Sequence, residues 1–231
     1  MGYSMSTLLF FVAVIFTMYA QSKVNSAFRR YSRVRNERGF TGAEAARRVL
    51  DANGLNDVAI EQVRGSLTDH YDPRKRVLRL SESVYGVQSI AAVSVACHEA
   101  GHAIQHAENY SPLSIRNSIF PVVNFASRFC WILIIMGLIF SATNNYLGNM
   151  IFNIGVIFFV AVIAFHAITL PVEFNASRRA ISVLDSQGIL YGDELKGAKK
   201  VLSAAALTYV AAAAVALGNL LRLLALRGRR D

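Results

Sequence analysis

Four long apolar runs constrain this chain more than any other feature. They cover residues 7–20 (extendable to Tyr3), 129–143, 150–170 and 201–217, the last continuing past Gly218 and Asn219 to Leu226 with Arg222 inside it. About 20 apolar residues in a helix are needed to cross the hydrocarbon core of a bilayer. Inside lipid every backbone polar group must be satisfied within the protein, so such runs are helical. Run three meets the length requirement, and run one meets it when counted from Tyr3. Run two is short unless its helix begins before Arg128, whose long side chain can snorkel to the interface. The composition agrees: 54% of residues are hydrophobic and the mean hydropathy is +0.36. The first run is expected to be an uncleaved anchor, because residues 1–6 carry no positive charge for a signal-peptide n-region. The match of Met1-Gly2 and Ser6 to a myristoylation pattern is read as coincidence beside so apolar a helix.

The net charge of +9 is unevenly spread. Lys23, Arg29, Arg30, Arg33, Arg35 and Arg38 follow the first run, whereas the loop between runs two and three (Asn144 to Asn149) is uncharged. The positive-inside rule then puts the basic segment in the cytosol and the neutral loop outside. Arg178, Arg179, Lys196, Lys199 and Lys200 return to the cytosolic side. A spanning fourth run would leave Arg227, Arg229 and Arg230 outside, against the rule, so that run packs on the soluble unit, lies at the interface, or spans as an exception. Attraction to anionic lipid explains a juxtamembrane basic cluster, and no nucleic-acid partner is expected.

Between the first two runs lies a small α+β stretch. Thr41-Gly42-Ala43-Glu44 is a capping box, and Asn53-Gly54 is a stop signal for the helix that it opens. Residues 58–63 and 76–80 alternate as strands, and residues 66–73 read as a polar loop. Ser111-Pro112 starts another helix, and Pro121 predicts a kink in it. The two cysteines, Cys97 and Cys130, form no disulfide framework and read as small buried residues. The domain division expected is an anchor over 1–23, an α+β unit over 24–115, a transmembrane hairpin over 116–170, a cytosolic segment over 171–200 and an Ala-rich hydrophobic helix with a basic tail over 201–231.

Within the α+β unit stands His98-Glu99-Ala100-Gly101-His102, an HExxH sequence preceded by an apolar helical run from Ser89 to Cys97. Two histidines four apart share a helix face and can bind one Zn²⁺. The metal lowers the pKa of a bound water to about 7, and Glu99 beside the first ligand is placed to take its proton. Gly101 costs about 1 kcal/mol against Ala in a helix interior, a choice expected where something approaches the backbone closely. A catalytic zinc needs a third protein ligand. Glu173, just after the third apolar run, is one candidate, the alternative being an interfacial carboxylate paired with Arg178 or Arg179. Asp185, in a Leu-Asp pair, is the other candidate.

Four stretches then carry a family resemblance: Thr68-Asp69-His70-Tyr71-Asp72-Pro73-Arg74, Val77-Leu78-Arg79-Leu80-Ser81, the run from His98 to His106, and Leu170-Pro171-Val172-Glu173-Phe174-Asn175-Ala176-Ser177. Together they resemble the YugP-type membrane zinc metallopeptidases of bacteria, over roughly residues 40–226 and in the same order. The resemblance implies a mostly α fold with a small β element, in which membrane helices are combined with a minimal zincin-like α+β catalytic unit. It implies one zinc ion held by His98, His102 and Glu173, with Glu99 as general base. Related membrane gluzincins carry Glu-x-x-Ala-Asp at the third ligand; here Ser177 replaces the Asp, leaving a weaker hydrogen bond to a ligand histidine.

The expected activity is hydrolysis of peptide or membrane-protein substrates by a multi-pass protein of a bacterial cell membrane, with lipid as the surrounding partner and the site near the cytosolic surface. The strand at 76–80 is expected to pair with extended substrate. His70, Arg178 and Tyr209 are alternative oxyanion stabilisers, and His106 and His166 read as supporting or packing residues. Rival readings are a site-2-type intramembrane protease using Asp185, and a zinc-stabilised scaffold without activity. The substrate, oligomeric state and regulators are not legible.

Overall fold

The computed structural model describes residues 3–141, 143 and 145–227. The myristoylation pattern at Met1-Gly2, Asn144 of the neutral loop and the tail arginines Arg229 and Arg230 lie outside them. Among the described residues, six helices and three strands follow in the order α1 (Tyr3–Tyr31), α2 (Gly42–Ala52), β1 (Ala59–Val63), β2 (His70–Asp72), β3 (Val77–Ser81), α3 (Ile90–Ala107), α4 (Ser111–Phe140), α5 (Asn145–Ser186) and α6 (Gly192–Arg227). The fold is mostly α with one small sheet, as the sequence indicated.

Two compact units emerge, with their divisions inside helices. One comprises residues 1–19, 114–170 and 209–231. Its helices belong to four that are long and apolar enough to cross a membrane. Its interior is the cluster of Cys130, Ile134, Phe152, Phe159, Ala216 and Leu223. Leu8, Phe11 and Ile15 of α1, Ile132 and Ile139 of α4, and Ile157 of α5 stand exposed. Such apolar surface is hydrated at high cost in water and is at home in lipid. Gly137 lets α4 meet α5 closely: a Cβ there would lie 2.5 Å from the Phe152 backbone nitrogen. Small residues serve this purpose where lipid-exposed helices cross. Arg222 sits over the Phe10 ring, 4.6 Å from its centroid, so its charge is held on an aromatic face. Pro121 lies inside an α4 that is assigned as one helix throughout.

The second unit comprises residues 20–113 and 171–208. The capping box forms as read: Thr41 Oγ1 accepts from the Glu44 amide at 3.2 Å, and Glu44 Oε2 accepts from the Thr41 amide at 2.8 Å. Gly54 takes φ +71°, the left-handed conformation that ends a helix. Val49, Leu50, Leu78, Leu80, Val84, Val93, Leu184 and Ile189 form the core, where α2, α3, the sheet and the end of α5 converge.

Two strand expectations need correction. The segment 66–73 is not all loop: His70–Asp72 is β2, antiparallel to β3. Its polarity hid it, because three residues give too short a stretch for alternation to register. The sheet order is β1-β3-β2, with β1 parallel to β3. The strand at 76–80 is therefore central, its backbone groups taken on both sides, and cannot pair with a substrate. Arg79, on the solvent face of β3, ties its neighbours by ion pairs to Glu61 of β1 (3.2 Å) and Asp72 of β2 (3.1 Å).

Candidate metal centre

Ser89 caps α3 by accepting from the Ala92 amide at 3.1 Å, and the apolar run that follows buries the first two turns of the helix in the core. The next two turns present His98, Gly101, His102 and Gln105 as one stripe, at spacings i, i+3, i+4 and i+7. Opposite them, α5 offers Glu173, Ala176 and Ser177. The helices approach closely at Gly101, where a Cβ would lie 2.8 Å from the Ala176 carbonyl oxygen. This is the close approach that a glycine inside a helix implied.

Closeness brings three donor atoms together. His98 Nε2 lies 3.3 Å and His102 Nε2 3.6 Å from Glu173 Oε2, and one ligand atom of each residue falls within 4.8 Å of the others. The imidazoles stand nearly perpendicular, at 83°, with centroids 4.9 Å apart. Two ligand atoms each about 2.0–2.1 Å from a tetrahedral zinc are about 3.3–3.4 Å apart. The donor set of two imidazoles and one carboxylate, at this spacing, fits that ion. Glu173 is 5% exposed and His102 9%. A carboxylate so buried needs compensating partners, and here both imidazoles face it. The alternative reading named Arg178 or Arg179 as the partner of Glu173. Arg179 pairs instead with Glu108 at 2.6 Å, and Arg178 is exposed.

The far nitrogens of both rings are also engaged. Ser177 Oγ lies 3.1 Å from His98 Nδ1, so this serine does reach the first motif histidine. Gln105 Oε1 lies 3.0 Å from His102 Nδ1. Such partners orient a ligand ring and raise its basicity. The sequence reading passed over Gln105, although its seven-residue spacing from His98 on the same stripe was a usable signal.

Glu99 leaves this stripe and turns towards β2, where the Tyr71 backbone is among the groups that act on its carboxyl. Burial pushes that carboxyl up to about 7, against the pull of the neighbouring His98; the nearby carboxylates of Glu173 and Asp69 add to the rise. Among the remaining candidates, Asp185 is exposed and stands outside the three-residue group. It lies twelve residues past Glu173 on α5, about 18 Å along the axis. His106 Nδ1 meets the Tyr71 hydroxyl at 3.0 Å. His70 is exposed, with Nδ1 2.9 Å from the Thr68 carbonyl oxygen. Tyr209 and His166 belong to the other unit. Cys97 is wholly buried, and desolvation pushes its thiol far up, as suits an inert core residue.

Comparison with known proteins agrees with the geometry. A protein of Bacillus subtilis (strain 168), described as "Putative membrane protease YugP", is 53% identical over 217 residues, covering 93% of this chain and 94% of that protein. No solved structure matches. The family model described as "Putative neutral zinc metallopeptidase" matches residues 6–228, almost the whole length, and the chain belongs to that family.

Proposed function

We propose that the protein is a membrane-bound metallopeptidase that cleaves peptide bonds at one zinc ion held by His98, His102 and Glu173, with Glu99 as its general base. The observation that carries this reading is the convergence of the two motif histidines with a buried carboxylate from a distant helix, at the spacing of zinc ligands. Zinc in such a site acidifies water and polarises a substrate carbonyl. The chain's own residues do the rest. Glu99, with a carboxyl near neutrality, accepts the proton of the attacking water and passes it to the leaving amine. Ser177 and Gln105 hold the ligand rings in place. β2 is the sheet edge beside α3, and Glu99 turns towards it, so an extended substrate segment running along β2 would bring a carbonyl to the base.

Lys23, Arg29, Arg30, Arg33, Arg35 and Arg38 lie next to the first apolar run, which supports a catalytic unit on the cytosolic side of a multi-pass bacterial membrane protein. Its substrates would be exposed segments of membrane proteins or peptides near the lipid surface. The test compares wild type and Glu99→Gln, purified in detergent, for zinc content and for cleavage of an unstructured peptide. Both should hold one zinc, and only the wild type should turn over. Undiminished cleavage by Glu99→Gln would remove Glu99 as base. A zinc-loaded wild type with no activity towards any unstructured peptide would favour a scaffold.

A further inference from the structure

Beyond the metal ligands, a chain of hydrogen bonds leads from the surface of the second unit to His102. We propose that the relay Glu108–Arg179–Asn175–Gln105–His102 has fixed polarity and sets the His102 tautomer that presents Nε2 to the metal. Gln105 is then a positioning residue, and Arg179 governs its orientation from the outside.

The polarity follows from what each group can donate. Arg179 has donors only. Its guanidinium is held by Glu108, 2.6 Å away, and its Nε donates to Asn175 Oδ1 at 2.7 Å. The Asn175 oxygen must therefore face the relay. That same oxygen accepts from Gln105 Nε2 at 2.9 Å, and the second amide hydrogen of Gln105 goes to the Val172 carbonyl oxygen at 2.8 Å. A flipped Gln105 would set its oxygen against two acceptors. Gln105 is 0% exposed, so no solvent relieves the mismatch. Its Oε1 is thus left with lone pairs alone, 3.0 Å from His102 Nδ1. Nδ1 must carry the hydrogen, and Nε2 is left with its lone pair towards the metal position; it stands 3.6 Å from Glu173 Oε2, whereas His98 Nε2, at 3.3 Å, is placed to donate to that carboxylate. In the other tautomer two acceptors would face each other across 3.0 Å inside the protein.

His98 is a built-in control. Its Nδ1 partner is the Ser177 hydroxyl, which can donate or accept, so no relay imposes a tautomer through Nδ1 there. In the metal-free protein His98 Nε2 can then donate to Glu173 Oε2, 3.3 Å away, so opposite tautomers are expected, Nδ1–H at His102 and Nε2–H at His98.

The inference rests on the metal-site reading above, but its main measurement needs neither metal nor substrate. Long-range ¹H–¹⁵N NMR of the full-length, metal-free, histidine-labelled protein in detergent, at a pH where imidazoles are neutral, should find His102 wholly as the Nδ1–H form. Gln105→Leu should lose this preference and bind zinc about 10- to 100-fold more weakly, measured by chelator competition. Arg179→Met, at a partly exposed position, should shift both readouts in the same direction by less. A mixed or Nε2–H His102 in the wild type overturns the relay, as do an unchanged tautomer and zinc affinity in Arg179→Met. A wild type that binds no zinc but has His102 fixed would overturn the proposed function and leave the relay standing.

Discussion

Gly101→Ala adds a single methyl group where α3 and α5 approach closely, and the structure decides the sign of its effect. The new Cβ would lie 2.8 Å from the Ala176 carbonyl oxygen and 3.4 Å from its carbonyl carbon and Cα. Relaxed contact with that oxygen begins at roughly 3.4 Å. The neighbour is backbone inside a helix and cannot rotate away, so the helices must part by about half an ångström. Overpacking of this kind costs about 1–3 kcal/mol. Alanine recovers about 1 kcal/mol through helix propensity. The net loss of stability in the metal-free protein is then modest, up to about 2 kcal/mol. The metal responds more sharply. His98 and His102 flank position 101, Glu173 lies three residues before Ala176, and a metal site tolerates displacements of only about 0.2 Å. Zinc affinity should fall at least about tenfold, the scale of losing a ligand's supporting contacts. Chelator competition gives the affinity, and denaturant unfolding of the metal-free protein gives the stability. If Gly101→Ala gained about 1 kcal/mol of stability and held zinc as tightly as wild type, the close helix approach would not exist and the reasoning would be wrong.

Three further outcomes follow from the same geometry. Glu173→Ala should lose stoichiometric zinc while Asp185→Ala keeps it; the reverse result, by metal analysis of the purified proteins, would restore the site-2-type ligand set. Ser177→Ala removes the partner of His98 Nδ1 and should weaken zinc binding by up to about tenfold, and an unchanged dissociation constant would show that the serine does not orient the ring. In the metal-free protein, burial holds the Glu99 carboxyl at about 7, above its ordinary 4.5, so the folded state binds this proton more tightly than the unfolded one. Stability is therefore lost as pH rises from about 4.5 to about 7. Glu99→Gln, which cannot ionise, should become the more stable of the two across that window, and parallel unfolding curves at low and high pH would refute this.

Much was written locally in the sequence. The apolar runs required helices because lipid leaves the backbone no other partner. The capping box and the glycine after Asn53 marked the ends of α2 because capping is a short-range hydrogen-bonding matter. The HExxH spacing put two imidazoles on one helix face, and Gly101 announced a close neighbour without naming it. The tertiary structure decided what sequence separation conceals. Which carboxylate completes the histidine pair depends on how α5 crosses α3, 75 residues apart in the chain, and in the sequence only the resemblance carried by the stretch at 170–177 favoured Glu173 over Asp185. The strand order β1-β3-β2 moved the available sheet edge from the apolar strand to the short polar one, because pairing partners are chosen by packing on the core rather than by strand propensity. The direction of the hydrogen bonds reaching His102 likewise exists only once Arg179, Asn175 and Gln105 are brought together in space, where a buried amide has a single orientation that leaves no acceptor facing another.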